Sequence, residues 1–299
     1  MKPFKHVKHL RVDTPKKFRL GDVDPAACGG FDVEKDEAKA LLADGAKRLA
    51  ELQERLYAQD RWAVLAIFQA MDAGGKDGAI KHVMSGVNPQ GVQVFAFKAP
   101  SAQELDHDFM WRTTVNLPER GRIGIFNRSY YEEVLVVRVH PELFGREKLP
   151  PVPVTNDIWK ERFTDISAFE RYLSRNGTVI LKFFLHISKE AQRRRFLDRL
   201  DDPAKRWKFS MGDVVERELW DRYMHAYEDM IRHTSTEEAP WYVIPADNKW
   251  FARLMVAAAL VDAMEDLGLE FPVIEGAALR EMMKVRKALL AEKPGTSSK

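Results

Sequence analysis

The chain has 299 residues, of which 45% are hydrophobic, with 47 basic and 45 acidic side chains. That supports one large core or two modest ones, and the net charge of +2 argues against a general nucleic-acid coat while leaving local basic patches open. A single cysteine, Cys28, excludes an intrachain disulfide framework and fits a reducing compartment.

Residues 1–35 are polar, basic and poorly periodic, and read as an arm lying on the body or on a partner subunit. The opening MKPFKHVKHLRVDTPKKF lacks an apolar segment and a small-residue cleavage site, and no apolar run reaches the length of a bilayer. A soluble cytoplasmic protein is expected. From Asp36 to Asp60 the spacing of Ala40, Leu41, Leu49, Leu52 and Leu56 predicts a helix. WAVLAIFQ (62–69) predicts a buried parallel strand, followed at once by a glycine loop and a helix from about Asp77. VQVFAF (92–97) predicts a second strand, and SAQELDHDFMWRTTVNL a helix capped by Ser101. RIGIFN (122–127) predicts a third strand, and the proline-rich 141–157 an ordered loop insertion. GTVILKFFLHI (177–187) predicts a fourth, with a Ser188-capped helix after it, and WYVIP (241–245) a fifth, with a helix from about Asn248. Strands alternating with helices imply a parallel sheet covered on both faces. One α/β domain over 36–275 follows, with a C-terminal helix and a frayed tail over 276–299.

The loop QAMDAGGKDGAIKHV lies between a strand and a helix, where glycines turn backbone N–H groups around an anion and the helix end adds positive charge. Lys76 supplies a full charge for a phosphate. Gly74, Gly75 and Gly78 form the cradle, and Lys81 follows in the helix. The spacing departs from the usual G-x-x-x-x-G-K-[ST]: Ala70 stands at the first glycine and Asp77 at the hydroxyl. Asp72, inside the loop, is either a magnesium anchor replacing that hydroxyl or the acceptor of a local Asx turn. GIFNRSYYEEV places Asn127, Arg128, Glu132 and Glu133 at the carboxyl end of the third strand, which faces the ligand crevice in open α/β sheets. Arg128 suits a transferring phosphoryl group. Glu132 and Glu133 are candidates for metal or acceptor contacts, or a solvated helix face. Arg112 is a candidate for an acceptor phosphate. Between 197 and 232, Arg199, Lys205 and Lys208 with interleaved aromatics read as a lid closing over phosphates, as an RNA-binding stretch, or as solvated helix faces.

Taken together, QAMDAGGKDGAIKHV, NPQGVQVFAFKAPS, HDFMWR, GIFNRSYYEEVLVVRVHP, KFFLHISKEAQRRRFLDRLDDPAKRWKFS and PWYVIPADNKWFAR resemble the polyphosphate kinase 2 family, from about Phe18 to Phe271. The resemblance implies a P-loop kinase, thymidylate-kinase-like three-layer αβα fold with a helical lid. It implies reversible phosphoryl transfer between inorganic polyphosphate and nucleotides, with Mg2+ (Mn2+ as substitute), and a homodimer or homotetramer; on its partner-subunit reading the arm joins that interface. By position, Asp72 and Lys76 match the family's loop aspartate and lysine, and Arg199, Lys205 and Lys208 its basic lid. Asn127 and Arg128 match a pair whose first member is aspartate in many relatives. Glu132 matches the branch accepting AMP as well as ADP, with GMP and GDP as further candidates. No specific nucleic acid and no membrane are expected as partners. The competing readings are an ATP-dependent nucleotide or metabolite kinase and a non-catalytic polyanion-binding protein.

Overall fold

AVLAIFQ forms β1 (Ala63–Gln69) of the computed structural model, which describes residues 7–30, 35–150, 155 and 157–292, and all seven of its residues are buried. A continuous apolar run is what a strand covered on both faces requires. With β2 (Val92–Ala96), β3 (Ile123–Asn127), β4 (Thr178–His186) and β5 (Trp241–Pro245) it makes a five-stranded sheet in the order β2-β3-β1-β4-β5, every neighbour parallel.

The helices are α1 (Lys35–Gln59), α2 (Lys76–Val83), α3 (Ala102–Leu105), α4 (Trp111–Thr114), α5 (Glu132–Val139), α6 (Ile158–Arg175), α7 (Lys189–Asp201), α8 (Met211–Glu218), α9 (Trp220–Thr234), α10 (Lys249–Glu265) and α11 (Gly276–Ala291). α1, α2 and α10 pack together in one layer, and α5, α6 and α9 in the other. The alanine run of α10 lets α1 come close: a Cβ on Gly45 would stand 3.6 Å from Ala257 Cβ. The chain leaves β1 towards β2 on one side, whereas it leaves β4 towards β5 on the other. The crevice between these diverging connections, at the carboxyl ends of the strands, is where open α/β sheets bind ligands.

The arm packs on its own chain. Val7, Val12 and Leu20 are buried, Arg11 bridges Tyr242 antiparallel, Val12 N donates to Trp241 O at 2.9 Å and Val243 N to Leu10 O at 2.9 Å. The otherwise open edge of β5 is thereby paired.

Three expectations are corrected. The helix expected over 101–117 is two single turns, α3 and α4. Ser101 and Glu104 form a capping box, and Asp108 Oδ1 then accepts from Met110 N at 2.9 Å, starting a new turn and ending the first helix. α6 follows directly on the expected loop and was absent from the sequence reading, and within that loop Pro141–Arg146 forms a 3-10 helix. α9, expected in the lid, buries Trp220, Tyr223, Tyr227, Met230 and Ile231 against α5 and α6, so the exposed part of that region ends with α8. No helix among the described residues is long and apolar enough to cross a membrane.

Candidate active site

The glycine loop turns because its backbone is forced to. A Cβ on Gly74 would lie 2.5 Å from Ala70 Cβ and 2.7 Å from Met71 O, so only glycine fits. Gly75, the cap of α2, has φ +101, and Ala73 has φ +58. This bend aims the start of α2 at the crevice and buries Lys76, whose Nζ donates to Ala70 O at 2.8 Å. Burial, with the nearby charge of Arg128, pulls the Lys76 pKa down to about 8, against the pull of Asp72, Glu132 and Asp77. An ammonium with a single carbonyl partner in such a place is a charge waiting for an anion.

At the end of β3, Arg128 takes φ +66 while its N–H donates to Phe68 O of β1 at 3.0 Å. A left-handed arginine is uncommon and marks a constrained site. Its guanidinium lies between Asp72 Oδ1 at 3.0 Å and Glu132 Oε2 at 3.5 Å. Glu132 and Asp72 hold its pKa above the ordinary arginine value, against burial. Asn127, the residue before it, donates from Nδ2 to Asp77 Oδ1 at 2.8 Å. Asp72, Lys76, Asp77, Asn127, Arg128 and Glu132 thus form one constellation built from two chain segments, 72–77 and 127–132.

This turn is anchored from below. Tyr130 and Tyr131, between Arg128 and Glu132, donate to Glu170 Oε1 at 2.8 and 2.7 Å. Lys182 of β4, wholly buried, donates to Glu170 Oε2 at 2.5 Å, to the Tyr131 hydroxyl at 2.9 Å and to Thr234 O at 2.7 Å. Removing either charge would strand the other in the core.

From the other side α7 grips the loop. Gln192 Nε2 donates to Asp72 O at 2.9 Å and Arg195 NH1 to Ala73 O at 2.9 Å, while Arg195 NH2 reaches Asp247 O at 3.1 Å and Ala246 O. Gln192 had been given no role. Its signal was its spacing, three residues before Arg195 on one helical face. Around the loop the cations accumulate. Arg195 NH1 would stand 3.6 Å from a Cβ on Gly75, and Arg253 NH2 3.5 Å from one on Gly78. Lys249 has its pKa lowered by burial and then by Arg195, and His82 by burial and then by Arg253 and Lys81. Among the described residues, neither Lys81, Lys249 nor Arg253 has an ion-pair partner. Lys249 and Arg253 sit four apart on the first turns of α10, within a motif quoted for its resemblance but given no role.

The other expected residues lie apart. Arg112, on α4, is buried, donating to Lys98 O just beyond β2 at 2.7 Å with its guanidinium 5.6 Å from the Phe97 ring centre. Arg199 faces Asp213 of α8 at 3.6 Å. Lys205 is exposed and paired with Asp202 at 2.5 Å, and Lys208 lies 5.0 Å from the Trp207 ring centre. Glu133 is a correction: it turns away from the loop into a buried pair with Arg162 at 2.9 Å, which also holds Glu147. Burial and Glu147 push the Glu133 pKa up to about 7. α5 is covered on that face, so Glu133 has neither solvent nor substrate to meet.

For a divalent cation, Asp72 fits: its side chain is 25% exposed and one carboxylate oxygen is left beside the one on Arg128. Glu132 fits less well, held behind Arg128 and 13% exposed. Among the described residues no three His, Cys, Asp or Glu side chains cluster as a metal site. A site would therefore consist of one carboxylate completed by phosphate oxygens and water, as magnesium accepts.

A parallel α/β sheet with a cationic glycine loop at its switch point defines a phosphate-handling protein of the nucleotide-kinase kind. The chain belongs to the polyphosphate kinase 2 family, whose model, "Polyphosphate kinase 2 (PPK2)", matches residues 32–271. It is 51% identical to an ADP-polyphosphate phosphotransferase of Rhodopseudomonas palustris, over 95% of this chain and 98% of the relative. It is 48% identical to an AMP/ADP-polyphosphate phosphotransferase of Meiothermus ruber, over 91% of this chain and 98% of the relative. The crystal structure of polyphosphate kinase 2 from Arthrobacter aurescens TC1 superposes with a TM-score of 0.85 at 43% identity, covering 94% of this chain and 96% of that one.

Proposed function

We propose that the protein is a phosphotransferase moving phosphoryl groups reversibly between inorganic polyphosphate and AMP or ADP. The observation that carries this is the group of Lys81, Lys249 and Arg253, cations with no ion-pair partner among the described residues, beside Arg195 around a glycine loop that already holds Lys76. It suits a long polyanion, and its affinity should fall with salt as charges are screened. The family, and the relatives acting on ADP or on AMP and ADP, support the same reading.

Lys76 takes a non-bridging oxygen of the phosphate being moved, and Arg128, released in part from Asp72, neutralises charge on the transferring group. Asp72 would hold magnesium, or manganese, which supplies charge neutralisation between donor and acceptor phosphates. Arg112 is assigned to the acceptor phosphate, and Arg199, Lys205 and Lys208 to the donor chain beneath the lid. Catalysis then rests on positioning and charge rather than covalent chemistry. We also propose that the working form is a homo-oligomer.

The test is a reaction with long-chain polyphosphate, magnesium and AMP or ADP, with no triphosphate added, in parallel with Lys76→Ala and Asp72→Asn. ADP and ATP formed from AMP, and inactive variants, support the proposal. Turnover only after ATP is supplied would replace it with an ordinary nucleotide kinase. Binding without turnover, unaffected by Asp72→Asn, would leave a polyanion-binding protein.

A further inference from the structure

Every residue from Glu270 to Glu292 is exposed, α11 included. Yet α11 is not polar: Leu279 is 40% exposed, Met282 49%, Val285 53%, Leu289 60% and Leu290 70%. A helix of 16 residues without a packed face is marginal in water. No part of this chain among the described residues covers it.

The stripe has a register. Met282 and Leu289 fall at heptad positions a, and Ala278 and Val285 at d. This seam is an open groove lined by Glu281, Met282, Val285, Arg286, Leu289 and Leu290. Glu281 then occupies a g position and Arg286 the e position five residues later. In a parallel two-stranded coil a g side chain meets the following e side chain of its partner, so Glu281 would face Arg286 of a second copy, twice by symmetry. In an antiparallel pair Glu281 would face Glu281. The bond from Lys284 to Glu281, 3.4 Å with both side chains at least 70% exposed, is a weak surface pair and no obstacle. Two heptads make a short seam, and the exposed Phe271 and Val273 just before the helix extend the apolar surface.

We infer that α11 is a dimerisation helix, pairing in parallel with α11 of a second copy of this chain through Ala278, Met282, Val285 and Leu289. The charges at 281 and 286 select both the partner and the direction. The seam is separate from the crevice, so solution mass and turnover can be read independently.

The test uses the full chain. Light scattering of the wild type should give at least a dimer of the 34.4 kDa chain, and Leu289→Glu should halve the mass with far-ultraviolet dichroism of the body unchanged. Glu281→Arg should weaken association, and Glu281→Arg with Arg286→Glu should restore it. In a Cys28→Ser background, Val285→Cys should oxidise to a disulfide-linked dimer because d positions adjoin across a parallel seam, whereas Lys284→Cys, facing outward, should not. A monomeric wild type, a mass unmoved by Leu289→Glu, or equal crosslinking at both cysteine positions would overturn the inference.

Discussion

Asn127 Nδ2 donates to Asp77 Oδ1 at 2.8 Å, tying the end of β3 to the first turn of α2. Asp77 gains twice, from the amide and from the positive end of the helix. Its position explains why a carboxylate stands where a hydroxyl is usual: it orders the helix that presents Lys76. Aspartate is the informative replacement for Asn127, because it keeps the size and removes the donor. In this chain two carboxylates would then meet within hydrogen-bond distance, and one would have to take up a proton or swing away. The amide and the carboxylate act as one unit.

Asn127→Asp should therefore lower kcat/KM about 10- to 100-fold near pH 8, the cost of a charge-assisted bond turned into repulsion. Activity should partly recover at lower pH, where the two carboxylates can share a proton. Combining it with Asp77→Asn, which returns one donor and one acceptor, should restore activity to within about threefold. Steady-state kinetics on the four proteins decide this. An Asn127→Asp variant with undiminished activity would mean that the pair does not order the loop.

Lys76 sets a pH dependence with an unusual sign. Its folded pKa, about 8, lies below the ordinary lysine value, so the ligand-free fold binds fewer protons there than the unfolded chain. Stability therefore rises as pH goes from about 8 to 10.5, and the charged lysine costs about 3 kcal/mol below that window. Lys76→Met should raise the Tm of the ligand-free protein at pH 7 by about 5 °C and abolish this rise. The same change should cut turnover by about 10³-fold or more, the scale of a lost phosphate-neutralising cation. Polyphosphate binding near pH 8.5 should take up protons, visible in calorimetry as a heat that varies with the buffer. A variant less stable than wild type at pH 7 would contradict a penalised charge.

Arg195 joins two loops with one guanidinium, donating to Ala73 O at 2.9 Å and to Asp247 O at 3.1 Å. A lysine has the charge but cannot span both carbonyls. Arg195→Lys should cost about 2–4 kcal/mol of stability, because buried acceptors lose their donors. It should also raise the KM for polyphosphate more than the KM for AMP, since the donor cradle is displaced and the acceptor side at Arg112 is not. Equal effects on the two would place Arg195 in general folding only.

How much of this was legible depended on how local each signal was. β1 and the loop were readable because an apolar run, two glycines and a lysine follow in order. Asp72, Arg128 and Glu132 were readable as neighbours because strand ends converge at a switch point. Glu133 and Lys182 were not, because charge reads as exposed unless the partner is known. Their partners Arg162 and Glu170 lie on α6, the helix that the proline-rich stretch concealed. α9 misled in the opposite way: Trp220, Tyr223 and Tyr227, spaced three and four apart, are a core stripe that suggested a lid because basic residues precede it. In the sequence Arg195 is one of three consecutive arginines with nothing to set it apart, although it is buried and holds backbone carbonyls rather than solvent.

The arm gives the last prediction, and the structure selects one of its two sequence readings, the body. As polar, basic sequence it suits either the body or a partner subunit, and only on the second reading would deletion of residues 1–17 lower the solution mass. In the structure Val7 and Val12 are buried on the body and residues 10–12 pair with β5. Each buried valine contributes about 1.5–3 kcal/mol, and the uncovered edge leaves two backbone groups without partners. Deletion should lower Tm by about 5–10 °C. It should also increase aggregation on heating, because a bare strand edge is a template for pairing. The mass at room temperature should stay that of the wild type, since the dimer seam is placed at α11. A truncated protein with unchanged Tm and a halved mass would return the arm to the interface and remove it from the sheet.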